Sequence, residues 1–467
     1  MDGARKANTR RGFLSLAGRV GPAALTADLL PRIHAAGSDT IRVALVGCGG
    51  RGTGAAVNAL SVKGGPVKLV AMADVFEARV NRSYRALLDH PAQVPGGGEP
   101  PTFDASRIDV PEERRFVGLS SYRDAMDCLS PGDLVILASP PAFRWPHFAY
   151  ALDKGLHVFM EKAVTVDGPT TRRMLRLAEV SEARNLKVGV GLMCRHCVAR
   201  QALYDRIRDG MVGELVHLRA YRMHGVVGLP FSPAPPAGAN ELLYQVERFH
   251  SFLWASGGLY SDFYIHNIDE CCWMKDAWPV RAQGMGGRHD RGENVDQNFD
   301  SYSVEYTFAD DTTLLVKGRS IEGCYGEFAS YAHGTKGSAV ISTSAHTPAR
   351  CRIYRSQRID QETDLHWEFP QPEPNPYQLE FDHLIDAIRR DKPYNEAKRG
   401  AEASLVASLG RMAAHTGRLV TFEEILNGEH EFAPGLDELT EDSPAPVQAD
   451  ASGRYPVPEP GVKMREY

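Results

Sequence analysis

Ile41-Arg42-Val43-Ala44-Leu45-Val46 runs straight into Gly47-Cys48-Gly49-Gly50-Arg51-Gly52. A short apolar, β-branched run bounded by glycines reads as a buried strand, and a G-x-G-x-x-G directly after it reads as a strand–turn–helix. Each glycine has its own task there. Gly47 allows a tight turn, Gly49 lets the backbone approach a pyrophosphate, and Gly52 allows close packing of helix on strand. Cys48, Gly50 and Arg51 complete the loop, and the helix N-terminus that follows favours the phosphate charge. Val67 to Ala73 reads as a second strand ending in Asp74, about 20 residues on, where a carboxylate accepts hydrogen bonds from an adenosine ribose. That carboxylate repels a 2′-phosphate and favours NAD over NADP, although Arg79 nearby leaves NADP open.

Strand and helix signals keep alternating. Asp133–Ala138, His157–Met160 and Lys187–Gly191 read as strands, and Thr170–Arg184 as a helix. Such alternation predicts a doubly wound parallel sheet over residues 39–192. Residues 92–109, with Gly96-Gly97-Gly98, read as a long loop before a short third strand. From residue 193 the pattern changes. Glu214–Met223, Ser301–Phe308, Thr312–Ser320 and Ser338–Ser342 read as strands, with Ala309-Asp310-Asp311 as a hairpin turn. Phe381, Leu384, Ile385 and Ile388 share one helical face, and a further helix over Ala401–Thr416 stops at Gly417. The expected fold class is α/β: a Rossmann domain, then an α+β domain over 193–427 with a largely antiparallel open sheet. Pro230–Pro236 reads as a rigid loop or lid, and residues 428–467 as an acidic, Pro-rich surface arm.

Composition narrows the function. The chain has 467 residues and a net charge of −6, with no long basic run past its start. Nucleic acid and anionic membrane are therefore poor partners. Nothing in the sequence reaches the uncharged apolar length of a membrane span. Eight cysteines are too sparse for a disulfide framework. Cys194 and Cys197 have zinc-like spacing but no second pair, so no metal is expected. Thr9-Arg10-Arg11-Gly12-Phe13-Leu14 reads as a twin-arginine export signal, with Ala35-Ala36-Gly37 as a small-residue exit and Arg19 and Asp28 interrupting the apolar stretch. Residues 1–38 are thus set apart from the fold, and the expected location is the periplasm. Export by that route carries folded protein, which suits a cofactor loaded beforehand.

Two further places carry chemistry. Glu161-Lys162 follows a parallel strand, and ligands of open α/β sheets bind outside the strands' carboxyl ends. Lys162 is placed to hydrogen-bond a substrate hydroxyl and stabilise an alkoxide. Asp262 and His266, four apart, share a face on one helix. His266 is suited to take a proton from an alcohol, with Asp262 orienting it or binding a neighbouring hydroxyl.

These elements together resemble the glucose–fructose oxidoreductase/inositol dehydrogenase/rhizopine-catabolism family (Gfo/Idh/MocA). The resemblance is carried by Gly47–Gly52, Ser139-Pro140-Pro141, Glu161-Lys162, and Gly257-Gly258 followed by Asp262 and His266, over residues 40–425. Val110–Gly118, Val190-Gly191-Leu192 with Arg195-His196, His266–Asp269, Gly284–Arg288 and Asn375–Gln378 narrow it to an exported branch similar to NAD-dependent glycoside hydrolases and glycoside 3-oxidoreductases. The resemblance implies tightly held NAD against Ser139, Pro140 and Glu161. It implies catalytic Lys162, Asp262 and His266, a sugar pocket lined by Arg195 and His196, and a homo-oligomer, dimer or tetramer. The activity it implies is oxidation of a sugar or glycoside hydroxyl, at C3. The alternative is glycoside hydrolysis by transient C3 oxidation, elimination, water addition and re-reduction, with Tyr260 or Tyr264, the latter placed at the substrate, as base for the C2 proton. An aspartate at 262 leans toward the plain dehydrogenase. Ala163 stands where the family has proline. A cis bond before a non-proline costs roughly 2.5–4 kcal/mol, so a trans bond or strain is expected there.

Overall fold

Six parallel strands build the first sheet: β1 (Ile41–Val46), β2 (Val67–Asp74), β3 (Arg115–Val117), β4 (Leu134–Leu137), β5 (His157–Met160) and β6 (Val188–Val190), in the order β3-β2-β1-β4-β5-β6. The computed structural model describes residues 39–89, 103–343 and 345–467. The twin-arginine signal and Gly96-Gly97-Gly98 lie outside the described residues. Apart from the edge strand β3, the strands are buried along nearly their whole length, as expected of a parallel sheet covered on both faces. The strand order reverses between β1 and β4, which opens a crevice beyond their carboxyl ends. The turns after these two strands meet there. Gly47 has φ +96°, and a Cβ on it would lie 2.4 Å from the carbonyl carbon of Ala138.

The second sheet has nine strands: β7 (Leu215–His224), β8 (Arg281–Gly287), β9 (Ser301–Thr307), β10 (Thr313–Ser320), β11 (Glu327–Gly334), β12 (Ser338–Thr343), β13 (Arg352–Tyr354), β14 (Leu365–Glu368) and β15 (Val420–Thr421). Their order is β14-β13-β12-β11-β7-β10-β9-β8-β15. Neighbours are antiparallel except β7 and β10, which pair in parallel. Residues 225–280 separate β7 from the hairpin strands, and a long helical connection permits a parallel pairing that a short turn forbids. One face is buried and the other open, as the strict alternation along β9 shows.

The helix Ala397–Thr416 runs between the two halves and is buried nearly throughout. Small residues make that possible. A Cβ on Gly410 would sit 2.1 Å from the Tyr306 hydroxyl. Ser404 Oγ accepts from the Val164 N–H at 3.0 Å, so the helix also holds the chain just after Lys162. The helix ends at Gly417 with φ +70°.

Residues 428–467 carry only one short helical turn, Leu436–Glu438. They are nonetheless seated rather than superficial. Phe432, Ala433, Leu436, Ala445, Val447 and Tyr455 join a buried cluster with Trp254 and Phe252. The 230–236 loop is likewise tied down, by Ser232 Oγ to Ser251 Oγ at 2.8 Å and by the Val295 N–H to Ser232 O at 2.8 Å. Among the described residues no helix is long and apolar enough to cross a membrane.

Candidate active site

The crevice between the β1 and β4 turns is a cleft of about 570 Å³ lined by Gly47–Gly54, Asp74, Ser139, Pro140 and His250. Gly49 and Gly50 face open space, with nothing within 4 Å of where a Cβ would stand, whereas a Cβ on Gly52 would lie 2.0 Å from Gly47 O. The bare backbone therefore faces the cleft at the start of the helix Gly50–Leu60, and Gly52 serves close packing. Asp74 shapes the same wall: its carboxylate accepts from the Cys48 N–H at 2.7 Å and the Phe76 N–H at 3.0 Å. Burial raises its carboxyl, and those backbone donors and Arg79 pull it back only in part. After β4, Arg144 donates to Leu137 O and Ser139 O, which pins the Ser139-Pro140 turn. A glycine cradle, a helix N-terminus and a carboxylate on the second strand fit a dinucleotide.

A second, smaller cavity of about 170 Å³ adjoins it, lined by Arg51, Glu161, Lys162, Gly191, Met193, Arg222, Phe263, His266, His346 and Tyr377. Arg51 lines both cavities and pairs with Glu161 at 2.9 Å. A Cβ on Gly191 would lie 2.5 Å from Glu161 Oε2, so that glycine makes room for the carboxylate. Lys162 Nζ donates to Asp262 O at 2.5 Å and Asp262 Oδ1 at 3.0 Å, and His250 Nε2 lies 3.2 Å from Asp262 Oδ2. The chain His250–Asp262–Lys162 thus links the larger cleft to the small pocket. Burial alone would raise the Asp262 carboxyl; Lys162 and His250 outweigh it and hold the group well below the usual carboxylate range. The Lys162–Ala163 peptide is cis, so the trans alternative is not adopted. Ala163 is fully buried there.

Asp262 and His266 fall on two successive helices, Gly258–Phe263 and Ile265–Lys275, with a break at Tyr264. The single helix expected for them is therefore corrected. So is the expected partnership: the Asp262 carboxylate is engaged by Lys162 and His250, not by His266. The His266 Nδ1 is buried without a hydrogen-bond partner, and its ring lies 4.4 Å from that of His346, tilted by 59°. Burial first, then Lys162 and Arg222, push the His266 imidazole well below its ordinary range. It is neutral at neutral pH, and no described residue occupies its Nδ1.

Arg195 and His196 do not line the pocket. They lie on a 3₁₀ turn, Met193–His196, whose three-residue period sends successive side chains in different directions. Met193 takes the pocket position. Arg195 grips Asp269 at 3.0 and 2.7 Å and covers Trp273, while His196 meets His383 at 2.9 Å and Glu396 at 3.3 Å. Tyr264, expected at the substrate, is fully buried beneath β10, where a Cβ on Gly318 would overlap its ring. Tyr260 is buried too and meets the Tyr306 hydroxyl at 3.1 Å. Neither tyrosine reaches the pocket. Burial pushes both phenols up.

Residues not picked out in the sequence complete the pocket: Arg222, His346 and Phe263, with Tyr377, which was noted only inside a motif; His250, also not picked out, reaches Asp262 from the larger cleft. Arg222 sits on β7, and a ten-residue strand with polar side chains at half of its positions gives no sign of which one faces a ligand. Cys194, His266 and His346 also bring ligand-type atoms within 4.8 Å of one another. Arg222, Arg200 and Lys162 all act on this group, and their positive charge disfavours a dication there.

No family model matches the chain. Solved structures match most of it. The UDP-N-acetylglucosamine 3-dehydrogenase GnnA from Acidithiobacillus ferrooxidans superposes with a TM-score of 0.56 at 16% identity, covering 81% of this chain and 98% of that one. The aldose-aldose oxidoreductase from Caulobacter crescentus gives 0.59 at 15%, covering 82% and 99%. The scyllo-inositol dehydrogenase from Lactobacillus casei, solved with NAD(H) and scyllo-inositol, gives 0.55 at 20%, covering 82% and 99%. The chain shares the fold of these solved oxidoreductases. Sequence relatives match shorter stretches of the chain. The rhizopine catabolism protein MocA of Rhizobium meliloti is 24% identical over 165 residues, 35% of this chain and 45% of that protein. A glycosyl hydrolase family 109 protein of Shewanella sp. (strain ANA-3) is 25% identical over 288 residues, 61% of this chain and 58% of that protein. The chain thus spans about half the length of the curated relatives it matches.

Proposed function

We propose that this protein is an NAD-dependent oxidoreductase that oxidises a hydroxyl, at C3, of a sugar or glycoside. The observation that carries the reading is the junction of the two cavities. Lys162, Asp262 and His266 stand where a substrate held in the small pocket would meet the reactive end of a dinucleotide in the cleft. A nicotinamide bound in that cleft would supply the hydride acceptor. Lys162 donates a hydrogen bond to the substrate oxygen, with Asp262 fixing the ammonium and His250 fixing Asp262. The neutral His266 accepts the hydroxyl proton. Asp74 favours NAD over its phosphorylated form.

The hydrolytic alternative keeps one specific support. The pocket holds a second imidazole, His346, beside His266, which provides the further base that C2 deprotonation requires. The relatives named glycosyl hydrolase family 109 point the same way. The aspartate at 262 and the small pocket favour the plain oxidoreductase. The twin-arginine motif supports a periplasmic location. The open face of the second sheet, where Met285 on β8 is 73% exposed, supports a homo-oligomer, which sedimentation would detect.

The deciding experiment follows nicotinamide fluorescence and aglycone release together, with nitrophenyl glycosides as substrates. A lasting rise in fluorescence without release is the expected result. Release with little lasting fluorescence establishes the hydrolase instead. Neither signal over a broad panel defeats both.

A further inference from the structure

Among the described residues, Arg222 is the cation of the small pocket that lacks a carboxylate partner. Arg51 is paired with Glu161, and Lys162 with Asp262. Close by, Arg195 is paired with Asp269 and Arg200 with Glu270. Arg222 instead gives its Nε–H to His224 Nε2 at 3.0 Å and approaches His346 Nε2 with Nη1 at 3.2 Å. Its guanidinium lies 3.8 Å over the Phe328 ring. Both imidazoles are held neutral, chiefly by burial, so neither offers a counter-charge. The residue is only 8% exposed, and its Nη2 makes no hydrogen bond to another described residue while the side chain lines the cavity.

A buried charge without a partner is costly, and proteins keep one where a ligand supplies the partner. Arg144 marks the contrast. It too lacks a carboxylate, but backbone carbonyls of Leu137 and Ser139 take its donors and it lines neither cavity. Among the described residues, Arg222 has no such carbonyls. A guanidinium with a free edge matches the planar, two-oxygen geometry of a carboxylate and also binds phosphate.

We propose that Arg222 selects an anionic sugar: the substrate carries a carboxylate or phosphate that pairs with this guanidinium beside the His266–His346 imidazoles. The inference rests on the oxidoreductase reading and names its substrate class. The small cavity favours the carboxylate of a uronic acid over a phosphate ester.

The test compares matched methyl glycosides, neutral hexosides against the corresponding hexuronides and hexoside 6-phosphates, by nicotinamide fluorescence on the purified protein supplied with NAD. The expected result is a kcat/KM for the hexuronide roughly 10- to 100-fold above that for the neutral sugar, the range of a hydrogen-bonded charge pair. In Arg222→Met that ratio falls to about one, and Arg222→Lys retains part of it. Preference for the 6-phosphate instead keeps the anion assignment and changes its source. Equal or better turnover of neutral sugars overturns the assignment and leaves the oxidoreductase reading standing. Oxidation of none of the three classes defeats both.

Discussion

Lys162 and His266 divide the proton work between a fixed cation and a neutral imidazole, and each makes a separate prediction. Lys162→Met removes the donor to the substrate oxygen, and His266→Asn removes the proton acceptor. Each should lower kcat by ~10²–10⁴, measured at saturating NAD, with cofactor binding unchanged by fluorescence titration. The pH profile follows from the direction of the His266 shift. The working form is the neutral one, and burial with Lys162 and Arg222 keeps the group neutral well below its ordinary value of 6.5. Activity therefore should not fall with a midpoint near 6.5 on the acid side; kcat/KM should hold its plateau to distinctly lower pH. A midpoint at the ordinary histidine value would remove His266 from this role. The position of Lys162 was legible because it follows a parallel strand, whereas the i,i+4 spacing of Asp262 and His266 pointed to the right neighbourhood through the wrong single helix. Arg222 and His346 were not legible. Whether a strand arginine faces a ligand, a partner or water depends on which elements cover its sheet, and that is a tertiary fact.

The elements themselves were mostly readable from periodicity. Buried parallel strands are short apolar runs, and β1, β2 and β5 begin where the sequence places them. The pairing of β7 with β10 was not readable, because strand direction depends on the route taken between strands. The break at Tyr264 was hidden for a related reason. Gly257 and Gly258 both have positive φ, +75° and +72°, which turns the chain into a short helix before the longer one begins. That turn drives Tyr264 under β10 and leaves His266 toward the pocket. Gly318 on β10 is the matching concession: a Cβ there would lie 1.9 Å from the Tyr264 ring. Gly318→Ala should therefore cost about 1–3 kcal/mol, the usual range for overpacking, read by urea unfolding. Catalytic loss should accompany it, because the displaced ring lies two residues from His266. Tyr264→Phe, which keeps the ring and deletes only an unpartnered hydroxyl, should leave stability nearly unchanged.

At the scale of the whole molecule, the C-terminal segment ties the two halves of the site together. Arg411, on the helix between the sheets, grips Glu466 with Nε at 2.7 Å and Nη2 at 2.9 Å. The same guanidinium donates to Gly257 O, Ser261 Oγ and Val166 O at 3.1, 2.9 and 2.9 Å. One cation thus joins the chain after Lys162 to the helix that carries Asp262, and its counter-ion comes from residue 466. The surface arm suggested by composition missed this, since a lone glutamate among proline and acidic residues carries no sign of its partner. Burial would raise the Glu466 carboxyl, but Arg411 and His415 outweigh it and hold it at about 2, against an ordinary 4.5. A depressed acid stabilises the fold above its unfolded value and ceases to do so as pH falls through its folded value. At about 1.4 kcal/mol per unit, the contribution is about 3 kcal/mol. Glu466→Gln should therefore destabilise the protein by about that amount above pH 5. The gap from the parent protein should close progressively between pH 4.5 and about 2, where the parent's own carboxyl becomes protonated. Urea unfolding of both proteins across that range measures the gap, and a difference independent of pH would show that packing, not the Arg411 ion pair, is what the substitution disturbs.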